Sequence, residues 1–162
     1  MKFVIIGAGP AGVRAAETLR ENDSQADITL VGDEPGEPYA RMAIPYILSG
    51  AIDDAGARQR RSLHHLQALG IRYRHGKAVD VDAGPSGGTV ELDDDTRLPY
   101  DRLLVATGSS PSLPPIPGTD LPGVLSCWTL EDAHQIAARL KPGARVVMLG
   151  AGFVAGVCMK SL

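Results

Sequence analysis

The sequence predicts an α/β fold with a parallel sheet at its centre, and adjacent segments near its start carry this prediction. Residues 2–6 (KFVII) form a short, apolar, largely β-branched run, which is typical of a strand buried on both faces. The run leads into the glycine-rich segment 7–12 (GAGPAG) and then into an amphipathic helical pattern over 13–22. A second strand is predicted at 27–31 and is followed by acidic residues. This order of elements predicts a βαβ unit.

The spacing Gly7-x-Gly9-x-x-Gly12 indicates a dinucleotide-binding turn of the Rossmann type. Gly7 permits the sharp turn, Gly9 lets the backbone approach a pyrophosphate, and Gly12 lets the helix pack closely on the sheet. An acid after the second strand can accept the ribose hydroxyls, although Asp33 lies 26 positions after Gly7, beyond the usual distance of about 20. The competing interpretation is a glycine-rich turn without a ligand.

A secretory signal is disfavoured, because Gly9-Pro10 interrupts the apolar start and a charged helix follows.

The middle of the chain is predicted to add short helices and an antiparallel hairpin. Prolines and glycines over 34–50 indicate turns, with a short helix at 45–48. A leucine at every third position, ending before Gly70, predicts a helix over 59–69. The predicted strands that follow are 71–74, 77–82, 89–92, 97–100 and the apolar, buried-type strand 102–106, with Asp93-Asp94-Asp95 as the hairpin turn.

A proline-rich segment predicts a boundary in the second half of the chain. Five prolines between 111 and 122 predict a stiff, extended connector. We therefore expect a first domain over 1–110, a crossover over 111–128 and a second domain that starts at 129 and continues to 162.

The second domain repeats the pattern of the first. Thr129 is expected to begin a helix, with Asp132 in a capping-box position. A strand predicted at 145–149 leads into Gly150-Ala151-Gly152-Phe153-Val154-Ala155, a second dinucleotide motif with alanine in the place of the third glycine. The sequence reaches Leu162 before a returning strand, so we expect this chain to be the N-terminal portion of a longer protein.

Composition and charge exclude several classes of function. The 162 residues include 16 Lys and Arg against 19 Asp and Glu, which gives a formal net charge of −3 and no reason to expect nucleic acid or an anionic membrane as a partner. No apolar run has the length of a membrane span.

The sequence predicts no metal site, because the cysteines and histidines lack ligand spacing. Cys127 and Cys158 are interpreted as packing residues, and the basic cluster Arg58, Arg60 and Arg61 as a solvated helix start.

Two dinucleotide motifs in one chain, with Ala106-Thr107-Gly108 between them, resemble the FAD- and NAD(P)-dependent pyridine nucleotide-disulfide oxidoreductases. The similarity is to the branch with ferredoxin and rubredoxin reductases, NADH oxidases and the flavin part of nitrite reductase. It implies a Rossmann-like FAD-binding domain with an inserted β-meander, followed by the start of a second Rossmann unit for NAD(P). The cofactor contacts that it implies are Gly7, Gly9, Pro10, Ala11 and Gly12 for the FAD pyrophosphate, Asp33 or Glu34 for its ribose, the Val79 backbone for adenine, Thr107 and Gly108 at a second FAD turn, Arg41 near the flavin or its phosphates, and Gly150, Gly152 and Ala155 for NAD(P).

The chain departs from the family pattern at its redox positions. Met42 stands where NADH oxidases and CoA-disulfide reductases carry a single cysteine, and the paired cysteines of other members are absent. A thioether cannot become a thiolate, so thiol-based reduction through this position is excluded. Pro45-Tyr46 replaces the Ser-Lys of the ferredoxin-reductase-like members. We therefore predict no catalytic acid, base or nucleophile.

The resemblance implies a flavoenzyme in which hydride passes from NAD(P)H to FAD and electrons pass on to a protein or small-molecule acceptor. We expect this activity of the parent protein, with the 162-residue chain inactive alone. The alternative is a non-catalytic portion of a larger flavoprotein that binds FAD or another nucleotide. A dehydrogenase that uses NAD at Gly7 is disfavoured, because the Ala106-Thr107-Gly108 turn accompanies FAD in the resembled family. We expect a cytoplasmic protein, with an oligomer possible. The sequence does not distinguish NADH from NADPH.

Overall fold

The computed structural model describes residues 1–59 and 63–162. Arg60, Arg61 and part of the helix predicted over 59–69 lie outside the described residues. The elements in chain order are β1 (Lys2–Ile6), α1 (Pro10–Asn22), β2 (Asp27–Gly32), a 3₁₀ turn (Arg41–Ala43), α2 (Ile44–Leu48), α3 (Asp54–Ala57), α4 (Leu63–Ala68), β3 (Ile71–His75), β4 (Ala78–Gly84), β5 (Gly87–Leu92), β6 (Arg97–Tyr100), β7 (Arg102–Val105), α5 (Leu130–Ala137) and α6 (Phe153–Cys158).

The chain packs into two compact units. Unit 1 comprises Met1–Tyr39 and Arg58–Gly108, and unit 2 comprises Ala40–Ala57 and Ser109–Leu162. The domain limits at 110 and 128 stay a prediction. In the described part of the chain, no helix is both long and apolar enough to cross a membrane.

Unit 1 contains a four-stranded parallel sheet in the order β3-β2-β1-β7. Lys2 lies opposite Asp27 and Ile6 opposite Val31, so β1 and β2 pair along their whole shared length. A second sheet, the antiparallel meander β4-β5-β6, is inserted between β3 and β7. The predicted α/β fold with a parallel sheet and an inserted meander is confirmed.

The central strands β1 and β2 of the parallel sheet are covered on both faces, which explains their continuous apolar runs. Successive side chains of a strand point to opposite faces. Ile5 packs with Leu30 and with Val13 of α1, whereas Val4 and Ile6 pack with residues of the meander. Strand β1 therefore contributes residues to two hydrophobic cores, one on each face of the sheet.

Strand β7 differs from the prediction of a buried strand. It lies at the edge of the four-stranded sheet, and Leu104 and Val105 are 42% and 61% exposed. An apolar run predicts a strand but does not reveal whether neighbours cover it, since burial depends on packing from distant parts of the chain.

The strand predicted at 145–149 is not formed, which corrects the sequence interpretation. These residues have no regular structure, and Val147 is 94% exposed. A strand persists only when its backbone groups pair with another strand. Among the described residues, no strand pairs with this segment.

Unit 2 is built from short helices around a small core of Ile44, Leu48 and Ala133. The predicted N-terminus of α5 is confirmed, because the Thr129 hydroxyl accepts from Asp132 N while the Asp132 carboxylate accepts from Thr129 N. The proline-rich stretch 111–122 has neither helix nor strand, but it is not extended throughout, since Leu121 N–H donates to Gly118 O in a turn.

Candidate nucleotide-binding site

The glycine loop lies at the carboxyl end of β1 and is held by backbone contacts. Gly7 has a φ of +110°, in the region that favours glycine, and its N–H donates to Val31 O at 2.8 Å. A Cβ on Gly7 would lie 2.2 Å from Ala106 O and 3.0 Å from Thr107 N. The fold therefore brings the first predicted FAD turn directly against the turn that contains Thr107 and Gly108.

Gly12 packs its helix against the same loop. A Cβ at this position would lie 1.8 Å from Gly7 O and 3.4 Å from the Ile5 side chain. Only a residue without a side chain allows this approach of α1 to the sheet.

Gly9 faces open space at the helix N-terminus. It is the N-cap of α1, Pro10 follows at the first helical position, and a Cβ on Gly9 would meet nothing within 4 Å. The first N–H groups of a helix lack intrahelical partners and, with the helix dipole, attract anions. Gly9 supplies no side chain to cap these donors, so the loop fits a pyrophosphate group.

Two acids follow β2, and one of them is held by a tyrosine. The Tyr39 hydroxyl donates to Glu34 Oε2. Asp33 follows Gly32, whose backbone is closely surrounded, since a Cβ there would lie 2.8 Å from both the Ala8 Cβ and the Tyr73 hydroxyl. The acidic end of β2 is thus next to the glycine loop.

Tyr73 is a site residue that the sequence reasoning missed. It lies on β3 opposite Leu30 of β2, and its hydroxyl approaches Gly32. Burial raises the pKa of Tyr73, and the charges of Asp33 and Glu34 raise it further. The hydroxyl therefore stays protonated and able to donate at neutral pH. Its place near the carboxyl end of the predicted strand 71–74 was a signal that could have identified it.

Gln59 connects the glycine loop to the segment that follows the acids. Its side-chain amide donates to Ala8 O at 3.4 Å and to Tyr39 O at 3.0 Å, and its backbone N–H donates to Pro38 O at 2.8 Å. Arg58, interpreted from the sequence as part of a solvated cluster, places Nε 2.9 Å from Glu37 Oε2. Gln59 thus connects the glycine loop with residues 38 and 39, and Arg58 pairs with Glu37 in the same segment.

Val79 lies on β4 at an irregularity in the ladder. Ala78 pairs with Leu92 and Asp80 with Glu91, so Val79 is left between them without a register partner. A residue in such a bulge keeps its backbone groups out of the regular ladder. The predicted role of Val79 is a backbone contact, and this position is compatible with that role.

Arg41 belongs to unit 2, where its guanidinium group lies over the Trp128 ring. Its guanidinium carbon is 5.0 Å from the centroid of the Trp128 ring, within the range of a cation–π interaction. The Trp128 indole N–H donates to Ser109 O at 3.1 Å. Met42, next to Arg41, is 84% exposed.

The second glycine loop has nearly the same backbone conformation as the first. Gly150 has a φ of +109°, compared with +110° for Gly7. Gly152 is the N-cap of α6 with φ −76° and ψ 179°, and Gly9 caps α1 with φ −71° and ψ 179°. Ala155 lies within α6. A Cβ built on Gly150 would meet no atom within 4 Å, whereas a Cβ on Gly7 would lie 2.2 Å from Ala106 O.

A glycine loop at the carboxyl end of a parallel sheet, with an open helix N-terminus and an acid after the next strand, defines a dinucleotide-binding protein of the Rossmann type. The chain belongs to the pyridine nucleotide-disulphide oxidoreductase family, whose family model matches residues 1–159. The predicted family resemblance is confirmed.

Individual relatives agree with the family match. Rhodocoxin reductase of Rhodococcus erythropolis is 37% identical over 154 residues, which cover 95% of this chain and 36% of that protein. The solved structure of an NAD-dependent persulfide reductase from A. fulgidus matches with a TM-score of 0.89 and 28% identity, covering 99% of this chain and 32% of that one. The covalent putidaredoxin reductase–putidaredoxin complex matches with a TM-score of 0.85 and 28% identity, covering 99% and 40%. The chain thus spans about a third of the length of the curated relative.

Proposed function

We propose that this chain carries the FAD site, and the opening of the NAD(P) site, of a flavin-dependent NAD(P)H oxidoreductase. The observation that carries the proposal is the open N-terminus of α1 behind Gly9, next to the acidic end of β2. Such a helix terminus favours a pyrophosphate, and a carboxylate beside it favours a ribose.

Several residues of unit 1 would hold the cofactor. The backbone of Gly7 to Gly12 would receive the pyrophosphate, and Asp33 is our first choice for the ribose because Tyr39 already engages Glu34. Thr107 and Gly108 would add a second contact, which is supported by the closeness of Ala106 and Thr107 to Gly7. Val79 at the adenine completes the set of unit 1 contacts, and the role of Arg41, a residue of unit 2, near the flavin or its phosphates stays a prediction from the family resemblance.

The reaction would proceed without a protein thiol at the family's redox position. When bound, the flavin supplies the redox chemistry, accepting hydride from NAD(P)H and passing electrons to an acceptor. Met42 stands at that position, and its exposed thioether has no proton to lose. The protein would therefore orient the cofactors and shape their surroundings rather than transfer electrons through cysteine.

An electron-transfer protein is our proposed acceptor. One similar structure is a reductase bound to putidaredoxin, and another relative is named a rhodocoxin reductase. The expected cytoplasmic location stays part of this proposal.

A second candidate is a non-catalytic nucleotide-binding portion of a larger flavoprotein. The observation that favours it is the exposed, unpaired segment at 145–149, directly before Gly150. In this case the chain binds FAD but does not oxidise NAD(P)H by itself.

Titration of the purified chain with FAD, followed by flavin fluorescence and absorbance, tests the proposal. We expect saturable binding that Asp33→Asn weakens about tenfold, because a charged acceptor is lost. Asp120→Asn, in an exposed turn of unit 2, is the matched control and should bind like the wild type. A wild-type chain that takes up no FAD contradicts the proposal, and equal binding by the Asp33 variant contradicts the assignment of that residue. Bleaching of the bound flavin by NADH would support the enzyme and contradict the second candidate.

A further inference from the structure

Unit 2 contains two thiols in contact. Cys127 Sγ and Cys158 Sγ are 3.7 Å apart, although 31 positions separate them in the sequence. Cys127 precedes α5, and Cys158 is the last residue of α6. Neither belongs to the proposed nucleotide loops, so the pair is unexplained by the function proposed above.

The surroundings of the pair give the two thiols different access to solvent. Cys158 is only 3% exposed, whereas Cys127 is partly buried against the core of Ile44, Leu48 and Ala133. A reagent therefore reaches Cys127 first. Among the described residues, no group of three or more His, Cys, Asp or Glu side chains has a metal-binding arrangement, so the contact is that of a dithiol.

We propose that Cys127 and Cys158 form a modification site that closes to an intramolecular disulfide by exchange with a low-molecular-weight disulfide. The Cys127 thiolate attacks one sulfur of the reagent, forms a mixed disulfide and releases the first reagent thiol. The Cys158 thiolate then attacks the Cys127 sulfur and releases the second. Two protein thiols are oxidised, one reagent disulfide is reduced to two thiols, and the cysteine protons end on those thiols. The sulfurs need to approach from 3.7 Å to about 2.05 Å.

Burial, reinforced by neighbouring groups, determines how the reaction of the pair depends on pH. Burial raises the pKa of Cys127 to about 12, and the neighbouring Cys158 and the Asp132 carboxylate of α5 act in the same direction. The residues of α2 that pack here, Ile44 and Leu48, are apolar. Because the thiolate is the nucleophile, we expect the rate to rise about tenfold for each pH unit between roughly 7 and 9.

The test treats the whole chain with glutathione disulfide at alkaline pH and follows the intact mass after alkylation of remaining thiols. We expect a species about 2 Da lighter than the reduced chain that takes up no alkylating agent. Two alkylatable thiols, under conditions where the urea-unfolded chain forms its disulfide, would overturn the proposal. A stable glutathione adduct on the wild-type chain would overturn it too, because it shows that Cys158 does not reach Cys127.

Two variants and one stability measurement complete the test. Cys158→Ser should trap one glutathione on Cys127, and Cys127→Ser should leave the buried Cys158 unmodified. The oxidised wild-type chain should melt at least about 5 °C higher, since the bond closes a long loop, and reduction should reverse the shift. A disulfide that lowers the melting temperature would contradict the contact described here. None of these readouts depends on FAD, so they stand apart from the test of the proposed function.

Discussion

Gly7, Gly9 and Gly12 lack side chains for three different physical reasons. Gly7 adopts a positive φ, Gly12 touches the backbone of Gly7, and Gly9 alone borders open space. We therefore expect a substitution of Gly12 to lower stability and a substitution of Gly9 to weaken ligand binding.

Substitution by alanine tests this separation. Gly12→Ala should lower the free energy of unfolding by about 3 kcal/mol, because its Cβ would overlap Gly7 O. Gly9→Ala should change it by no more than about 1 kcal/mol but weaken FAD binding about tenfold. Urea denaturation and FAD titration measure the two effects. Equal losses of stability in both variants would show that the space at Gly9 is not open.

Gln59 should act as a positioning residue for the glycine loop. Gln59→Glu removes the amide donor to Ala8 O and Tyr39 O and places a carboxylate beside both carbonyls. We expect FAD to dissociate roughly five- to tenfold faster, as for the loss of about 1 kcal/mol. Gln67→Glu, exposed on α4, is the control and should leave the dissociation rate unchanged. An unaffected dissociation rate in the Gln59 variant would remove the residue from the site.

The Tyr73 hydroxyl should make the fold sensitive to alkaline pH. The unfolded chain releases this proton near pH 10, while the folded chain holds it to higher pH. Above about pH 10 the folded state binds more protons than the unfolded state, so stability falls as pH rises. Tyr73→Phe should flatten this fall in urea denaturation between about pH 10 and 11. Identical slopes in the wild type and the variant would contradict the burial of the hydroxyl.

At the scale of elements, one arginine joins α1 to its neighbours. Arg20 donates to five backbone carbonyls, which belong to Asp23, Ser24, Ala26, Leu69 and Gly70. These bonds connect the end of α1 with the segments that precede β2 and β3. A planar guanidinium offers five N–H donors spread over a fixed fork, whereas an ammonium group offers three donors at a single nitrogen and cannot span the same acceptors.

Arg20→Lys keeps the charge and loses this geometry. We expect the free energy of unfolding to fall by about 2–3 kcal/mol in urea denaturation. Arg97→Lys, whose side chain is 72% exposed and pairs with Glu91, should leave the midpoint unchanged within error. A similar midpoint for both variants would show that the carbonyl contacts contribute little.

Contacts between elements also explain residues that the sequence left without a role. The sequence predicted no metal-binding role for His65, and the structure places its Nε2 2.9 Å from the buried Glu17 carboxylate of α1. The leucine pattern predicted a helix here, but it did not indicate that this helix would contact α1. The contact between α4 and α1 depends on how the chain runs through the parallel strands β2 and β3.

At the scale of the whole molecule, we expect stability to be uneven. Ile5 and Leu30 are fully buried in the parallel sheet, whereas the segment 145–149 has no regular structure and is largely exposed. Hydrogen exchange followed by mass spectrometry should show slow exchange in β1 and β2 and fast exchange at 145–149. Protection of 145–149 equal to that of β1 would mean that this segment forms a strand after all.

Local sequence patterns were sufficient to predict the α/β class, the order of strand, glycine loop, helix and acid, and the family. These features are local, because a period of two or 3.6 residues and the spacing of three glycines are written in neighbouring positions. The capping of α5 by Thr129 and Asp132 was predictable for the same reason.

Which distant residues meet depends on the tertiary structure. Ala106 lies close to Gly7, the Tyr73 hydroxyl approaches Gly32 at the acidic end of β2, Gln59 donates to Ala8 of the glycine loop, and Cys127 contacts Cys158. Strand β7 lies at the edge of its sheet, and no strand of the described residues pairs with 145–149. Each of these outcomes joins or separates segments far apart in the chain, and their meeting depends on sheet order and packing rather than on any local pattern.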